Sequence, residues 1–188
     1  RPVSGRRAAP LPRLQPVTAA LVERTHAAHG LRSRAVYSDC GAYRYLLERE
    51  WDAGTGRMAF VMLNPSTASE LANDPTVERC ERRARAMGFA AFRVVNLFAY
   101  RATVPADLRR AAAPEGPGND AALEAACDWA DLVLAAWGVH GAHRGAGPAL
   151  VQRLRGRGRA LHHLGLTRDG HPRHPLYVPY RVVPQPWV

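Results

Sequence analysis

One short apolar stretch constrains the fold of this chain more than any other part of the sequence. Residues 58–63 are apolar without interruption, and the run stops at Asn64-Pro65-Ser66. A run of this length predicts a buried strand rather than a helix. Because Pro65 cannot donate to a sheet and favours extended backbone at Asn64, we expect the strand to end where these polar side chains begin. Ligands of open α/β sheets bind beyond the carboxyl ends of strands, so the junction is either a binding site or an ordinary turn.

The rest of the sequence alternates apolar runs with segments of helical spacing. Further strands are predicted over residues 89–98, 131–136 and 159–164. Helices are predicted over residues 17–29, 76–87, 105–113, 121–129 and 147–155. Two shorter segments are a candidate strand and a segment that fits either a strand or a helical turn, residues 35–37 and 43–47. The alternation predicts an α/β fold, a three-layer α/β/α sandwich around a central, mostly parallel, four-stranded sheet.

Polar residues next to two of these helices predict how the helices begin. Asn73 or Asp74 is expected to cap the helix over residues 76–87, and Asn119 or Asp120 the helix over residues 121–129. The arginines of the first of these helices are expected mostly at solvent or at phosphate groups; they are Arg79, Arg82, Arg83 and Arg85.

Length and composition bound the class of protein. With 188 residues, of which 47% are hydrophobic and 22% charged, the chain fits one globular domain. We expect residues 1–15, rich in Arg and Pro, to form a flexible basic tail, and residues 16–188 to form a single α/β domain. No apolar run reaches the ~20 residues that span a membrane, and the N-terminus has no apolar signal segment. We therefore expect a cytoplasmic protein that does not bind membranes, and a monomer.

The cysteines and the familiar nucleotide motifs give no indication of a cofactor. Cys40, Cys80 and Cys127 are scattered and form no CxxC pair, which is typical of reduced thiols rather than a disulfide frame or a zinc site. The sequence contains no GxGxxG fingerprint and no P-loop. We therefore expect neither a cofactor nor a metal.

The charge of the chain favours a polyanionic partner such as DNA. The net charge is +10, and all 26 basic residues are arginine, with no lysine. Arginine forks onto phosphate and stacks on bases. A solvated basic surface, or the codon usage of a GC-rich genome, would explain the same composition.

Polar residues recur at the predicted strand ends. Asn96 interrupts an apolar run, Trp137-Gly138 follows another, and a late loop holds His171 and His174. A buried polar group needs a partner or costs about 1–3 kcal/mol, so Asn96 is either satisfied by a nearby loop or available to a ligand. In a doubly wound sheet these residues would converge at one edge.

Eight motifs together resemble a bacterial and phage family known as domain-of-unknown-function family 1643. They are YSDCGAYRYLLEREW, MLNPSTA, NDPTVERC, VVNLFAYRAT, PEGPGND, AAWG, LGLTRDG and PRHPLY. The resemblance runs from about residue 36 to residue 178 and implies no activity.

The order of four short elements is similar, more distantly, to the uracil-DNA glycosylase superfamily. The elements are residues 63–66 (LNPS), 94–96 (VVN), 134–138 (LAAWG) and 174–176 (HPL). Met62 and Ser66 replace residues usual in the first motif, Leu176-Tyr177 replaces the usual Ser-Pro of the last, and His171-Pro172 offers a second register for it.

This second resemblance implies a glycosylase-like fold and a hydrolase that flips a uracil or modified base out of DNA and cleaves its N-glycosidic bond. Asn64 would hold the attacking water, His174 would donate to the departing base, and Asp74 is the alternative base. The expected substrate contacts are Asn96, which would read the base edge, and Pro65, Ser66, Phe98, Tyr100, Trp137 and Tyr177. The expected DNA contacts are Arg44, Arg79, Arg101 and Arg173, with Leu176 or Tyr177 as a wedge in the duplex.

Three other functions remain open at this point. The chain could be a non-catalytic nucleic-acid-binding protein on the same scaffold. It could be a hydrolase of free modified nucleosides, in which case salt-sensitive DNA binding would be weak. It could also be an α/β enzyme that acts on a small molecule outside nucleic-acid metabolism.

Overall fold

One mixed sheet of eight strands runs through the part of the protein that the structure, a computed structural model, describes, residues 20–188. The strands are β1 (Leu21–Ala28), β2 (Leu31–Ser38), β3 (Arg44–Trp51), β4 (Arg57–Met62), β5 (Ala91–Asn96), β6 (Leu132–Ala135), β7 (His162–His163) and β8 (Gln185–Pro186). The α-helices are α1 (Pro75–Ala86), α2 (Pro105–Arg110), α3 (Asn119–Trp129) and α4 (Ala146–Gly156). Two short 3-10 segments cover Val139–Gly145 and Pro175–Tyr177. The predicted basic tail, residues 1–15, lies outside the described residues.

The sheet is partly parallel and partly antiparallel. Its spatial order is β1-β2-β3-β5-β4-β6-β7-β8. The four strands of the predicted central sheet are neighbours, and β5, β4, β6 and β7 pair in parallel. β1, β2 and β3 form an antiparallel meander that joins β5 antiparallel, and β8 adds to β7 antiparallel. The prediction of a four-stranded sheet was therefore wrong in size, because antiparallel strands extend both edges.

Helices cover both faces of the sheet, as the alternating pattern predicts. Along β4, Met58 and Phe60 belong to one buried cluster, together with Val77 of α1. Their neighbours Ala59 and Val61 belong to a second cluster, with apolar residues of α2, α3 and α4. Successive side chains of a strand point to opposite faces, so the uninterrupted apolar run of β4 is what a strand buried on both sides requires.

The helix predicted over residues 17–29 was wrong: its described part is the edge strand β1. Every residue of β1 pairs with β2, from Leu21 opposite Ser38 to Ala28 opposite Leu31. The turn between them is His29-Gly30, with φ of 49° and 73°. Left-handed backbone at both positions suits a two-residue hairpin turn that follows the twist of the strands. Most of β1 is exposed, so its apolar spacing carried no information about a helical face.

The segment over residues 43–47, which fitted a strand or a helical turn, belongs to β3. β3 carries two arginines whose side chains are buried beneath the loop between β4 and α1. Arg49 donates to the Ser69 carbonyl (2.6 Å) and to Oδ1 of Asn73 (3.0 Å). Arg44 donates to the Ala68 carbonyl at 2.6 Å. These bonds satisfy carbonyl groups of an irregular loop, which no sheet or helix partner reaches.

Arg83 of α1 does not face solvent or phosphate, which corrects the prediction for that residue. It is buried and donates to the carbonyls of Val178 (3.0 Å), Pro179 (2.9 Å) and Val182 (2.6 Å). Its neighbour Arg82 is exposed and pairs with Glu78 one turn away. The two side chains differ because Arg83 lies on the face of α1 that holds the C-terminal segment.

Within residues 20–188, none of the helices combines the length and the apolar character that crossing a membrane requires.

The first prediction concerns Arg83. Replacing it with Met removes the donors for three carbonyls, so we expect Arg83→Met to lower the free energy of unfolding by about 2–3 kcal/mol. The matched control is Arg82→Met on the same helix, which removes only an exposed ion pair and should cost less than about 0.5 kcal/mol. Urea unfolding followed by circular dichroism measures both. Equal losses in the two variants would contradict the anchoring role of Arg83.

Candidate functional site

A cavity of about 600 Å³ opens at the carboxyl ends of β4, β5 and β6. We call it the strand-end cavity. Nine of the residues predicted for the site line it: Arg44, Asn64, Ser66, Asp74, Asn96, Trp137, Arg173, His174 and Tyr177. Asn64, Asn96 and Trp137 meet there because β4, β5 and β6 are parallel neighbours, so that the ends of all three strands reach the same edge. Arg44 reaches the cavity from β3, and the late loop contributes Arg173, His174 and Tyr177.

Asn64 follows β4, and its side chain is fixed by the backbone. Its Nδ2 donates to the Pro65 carbonyl (2.9 Å) and to the Ala102 carbonyl (2.7 Å). Because both partners are acceptors, these two bonds distinguish the Nδ2 end of the amide from the Oδ1 end. The remaining group, Oδ1, is an acceptor. Asn64 can therefore accept a hydrogen bond from a ligand or a water but cannot act as a proton-accepting base.

Asn96 ends β5 and is buried, with 2% of its surface exposed. Its Oδ1 has no hydrogen-bond partner among the described residues. The backbone beneath it is held by Asn119, whose Nδ2 donates to the carbonyls of Asn96 (2.9 Å) and Leu97 (3.2 Å). A buried acceptor without a partner is costly unless a ligand supplies a donor. Asn96 is thus the side chain of the cavity that most needs a ligand.

The role predicted for Asn119 as a side-chain cap needs correction. α3 begins at Asn119 itself, after Gly118 in left-handed backbone, and no side-chain hydrogen bond caps it. The Asn119 side chain is turned toward the end of β5 instead. Sequence reasoning identified a polar residue at the helix start but could not show that the two elements pack together.

His174 lies in the late loop, and its ring is neutral in the folded protein. Burial lowers its pKa to about 4, although the nearby Asp74 carboxylate acts in the opposite direction. Its Nδ1 accepts a hydrogen bond from the backbone N–H of Leu176 at 3.3 Å. In a neutral ring, one nitrogen accepts and the other donates. The proton of His174 is therefore on Nε2, which makes this side chain a neutral hydrogen-bond donor.

Asp74 caps α1, as predicted, and also lines the strand-end cavity. Its Oδ1 accepts from the Val77 N–H (2.8 Å) and its Oδ2 from the Ala68 N–H (3.3 Å). Both oxygens are thus committed to the backbone on either side of the loop. The carboxylate keeps further lone pairs, so its cap role and a contact with a ligand are compatible.

Trp137 follows β6 and is buried although it lines the cavity. It packs against the backbone of the next segment at Gly141, where an added Cβ would lie 1.9 Å from the Trp137 ring. On another side, its ring is 5.9 Å from the ring of Trp187. Trp137 is therefore a rigid wall rather than a mobile cover.

Six residues predicted for the site do not line the cavity: Pro65, Phe98, Tyr100, Arg79, Arg101 and Leu176. Phe98 is fully buried in the core, with its ring 5.3 Å from that of His143. Arg79 donates to the Val178 carbonyl and lies over the Tyr180 ring. Arg101 donates to the Gly41 carbonyl.

Four lining residues with polar side chains were missed by sequence reasoning: Thr76, Thr103, His140 and Thr167. Only Thr76 had a usable signal, because Asp74-Pro75 predicts the start of a helix and puts the next residue in its first turn. The others depend on how loops meet. Within the described part of the chain, no group of three or more His, Cys, Asp or Glu side chains could hold a metal ion.

Comparison with known proteins gives one match. A protein-family model described as "Protein of unknown function (DUF1643)" matches residues 44–176. No curated protein and no solved structure matches the chain.

The second prediction follows from the lowered pKa of His174. In the unfolded chain a histidine has a pKa of about 6.5, so between about pH 6.5 and pH 4 the unfolded state binds the extra proton. The stabilising contribution of the neutral ring is complete above pH 6.5 and is lost as the pH falls toward 4. We expect the free energy of unfolding to fall more steeply over this range in the wild type than in His174→Gln. A ring that titrates near pH 6.5 in an NMR titration of the folded protein would contradict this account.

Proposed function

Since the chain belongs to the DUF1643 family, whose description specifies no activity, we propose a function from the chemistry of the strand-end cavity. The protein hydrolyses the N-glycosidic bond of a flipped uracil or modified base in DNA. As part of the same proposal, the chain is a distant relative of the uracil-DNA glycosylase superfamily. It is supported by the position of the four elements on which the likeness rests: LNPS, VVN and LAAWG lie at the carboxyl ends of parallel strands, and His174 of HPL borders the same cavity.

The observation that carries the proposal is the unpartnered Oδ1 of Asn96. A uracil presents an N–H between two carbonyl oxygens on its pairing edge, and that N–H would donate to Oδ1 while Nδ2 donates to a base oxygen. The cavity volume of about 600 Å³ is ample for a nucleoside. A base inside a duplex cannot reach a buried side chain, so the nucleotide must leave the stack first.

The reaction needs an oriented water and a stabilised leaving group. Asn64 Oδ1 accepts a hydrogen bond from a water, whose oxygen attacks the sugar C1′ while the C1′–N bond breaks and its electron pair moves to the base. His174 Nε2–H donates to the base oxygen on which that negative charge develops. The proton lost by the water passes to Asp74 or to solvent, because the Asn64 amide cannot take it.

A neutral His174 suits this role, because an uncharged ring can remain buried beside the cavity before the substrate binds. Its proton is held on Nε2 by the Leu176 N–H bond, and its burial means that the ring adds no charge that must be desolvated. A preorganised donor of this kind accelerates the reaction by stabilising negative charge that appears on the base only in the transition state.

DNA is the proposed partner, and the mouth of the cavity supports it. Tyr177 is 81% exposed and Val139 50% exposed, and both line the opening together with the exposed Arg173. An exposed aromatic ring beside a cation fits a nucleic-acid strand, with Tyr177 as the wedge. A monomeric state and a cytoplasmic location are parts of the same proposal; the free Cys40, Cys80 and Cys127 are compatible with a reducing compartment.

A free modified nucleoside or nucleotide is a second candidate substrate. Two of the four arginines predicted to contact DNA phosphates, Arg79 and Arg101, donate to backbone carbonyls away from the cavity. A third, Arg44, is absent from the outer surface and lies at the wall of the cavity. These positions reduce the charge available to a long strand while leaving a small ligand unaffected.

The third prediction tests the reaction. Labelled single- and double-stranded oligonucleotides that contain uracil, hydroxymethyluracil, hypoxanthine or mismatched thymine are incubated with the protein, and alkali cleavage reveals abasic sites. We expect release of one of these bases, and a loss of about 10²–10³-fold in the rate for His174→Ala, which removes one donor to the developing charge. Asn64→Ala should lose activity as well.

The control variant is Asp52→Asn, which alters the loop at the opposite end of β4 and should keep the full rate. If no oligonucleotide releases a base but free modified nucleosides are cleaved, the second candidate substrate is the correct one. Base release that is unaffected in both Asn64→Ala and His174→Ala would reject the assigned site.

A further inference from the structure

Among residues 20–188, three buried arginines differ in how many acceptors their guanidinium groups reach. Arg44, Arg49 and Arg83 have exposed fractions of 3%, 1% and 2%. Arg49 donates to four acceptor atoms of the described residues and Arg83 to three. Arg44 donates to one, the Ala68 carbonyl. Of the three, only Arg44 lines the strand-end cavity.

The remaining donors of Arg44 are open to the cavity: the residue lines it, and none of its nitrogens is among the fully buried unpartnered atoms of the described residues. Burial lowers the pKa of Arg44 to about 10, with the Asp74 carboxylate acting the other way, so the group is still charged at neutral pH. A guanidinium has five N–H donors in a fixed fork. A charge that has lost most of its hydration is stabilised by an anionic ligand that brings acceptor oxygens to its free donors.

A bulge in β3 accounts for the position of Arg44. Leu46 is opposite Val36, but the next pair is Arg44 opposite Tyr37, so Tyr45 is an extra residue in the strand. A bulge of this kind reverses which face of the sheet is reached by the side chains on its far side, here Arg44. It brings Arg44 to the loop that Arg49 also contacts, beneath Ala68 and at the cavity wall.

The surroundings of Arg44 suit an oxyanion. The hydroxyl side chains of Ser66 and Thr76 line the same cavity, and Thr76 is in the first turn of α1, where backbone N–H groups have no partner within the helix. The other charged or titratable residues that line the cavity within residues 20–188 are Asp74, His140, Arg173, His174 and Tyr177. Asp74 opposes an anion, but both of its oxygens already accept backbone N–H groups.

We infer that Arg44 and Thr76 form a subsite for the phosphate group of a nucleotide whose base lies on Asn96. This inference rests on the proposed function for the position of the base, and it adds the requirement for a phosphate on the substrate. The phosphate comes either from a free nucleotide or from the backbone of a flipped nucleotide in DNA. The fork of Arg44 matches phosphate oxygens, and Asn96 separately reads the base.

Inorganic phosphate tests the subsite without any assumption about the base. Thermal unfolding is followed with sodium phosphate or sodium chloride at equal ionic strength and pH. We expect phosphate to raise the Tm of the wild type, and the rise to disappear in Arg44→Gln and to shrink at least twofold in Thr76→Val. Thr76→Val keeps the side-chain shape, so it remains informative if Arg44→Gln fails to fold. The matched control, Arg82→Gln, removes an exposed arginine and should keep the full rise.

Two further measurements identify the source of the phosphate. Calorimetry compares deoxyuridine with its 5′-monophosphate, and binding assays compare uracil-containing oligonucleotides in the wild type and Thr76→Val. Monophosphate binding that is at least tenfold tighter than nucleoside binding assigns a free nucleotide. If deoxyuridine and its 5′-monophosphate bind equally, and Thr76→Val binds the oligonucleotides at least threefold more weakly than the wild type, the phosphate is that of the DNA backbone.

The inference is overturned if phosphate raises the Tm of Arg44→Gln and Thr76→Val as much as that of the wild type, or does not raise the wild-type Tm. Base release from oligonucleotides without any phosphate effect would leave the proposed function intact and reject the subsite alone. A phosphate effect without base release would support the subsite and reject the proposed function.

Discussion

Buried guanidinium groups that donate to backbone carbonyls hold together the irregular parts of this protein. Arg49 fixes the loop between β4 and α1, and Arg83 fixes the segment that follows the late loop. Without these donors, the carbonyls of both segments would be unpaired in a water-poor environment. Arginine suits the task because it remains charged when buried and reaches several acceptors at once. Nine other arginines of the described residues pair with carboxylates, so much of the positive charge is neutralised within the molecule.

The same bonds determine which side chains of the strand-end cavity are free to act. Asn64 and His174 each have one polar group tied to the backbone, and Asp74 has both of its oxygens tied in this way, so the orientation of all three side chains is set. Asn96 differs, because its neighbour Asn119 holds the backbone and leaves the side chain available. A cavity built in this way holds its donors and acceptors in place before a ligand arrives, and such preorganisation favours both selective binding and catalysis.

The parts of the fold that depend on local pattern were predictable, and those that depend on distant pairing were not. Short, mainly apolar segments identified the four parallel strands, and their parallel order was enough to bring Asn64 and Asn96 to one edge. The exposed strand β1 was mistaken for a helix, because pairing with β2 and not burial holds it in the sheet. Arg44 was predicted as a phosphate contact, but the face of the sheet that it reaches was not predictable, since it depends on one extra residue in β3 and a one-residue shift moves a side chain to the other face.

The anchor at Arg83 also bears on where this protein can be cut. The family model ends at residue 176, but the carbonyls that Arg83 binds belong to Val178, Pro179 and Val182. At the other end, the model begins at residue 44, after both β1 and β2. A fragment trimmed to the matched span would expose the edge of β3 and leave Arg83 buried without acceptors. The span that defines the family is therefore shorter than the unit that folds, and boundaries for recombinant expression belong outside the complete sheet.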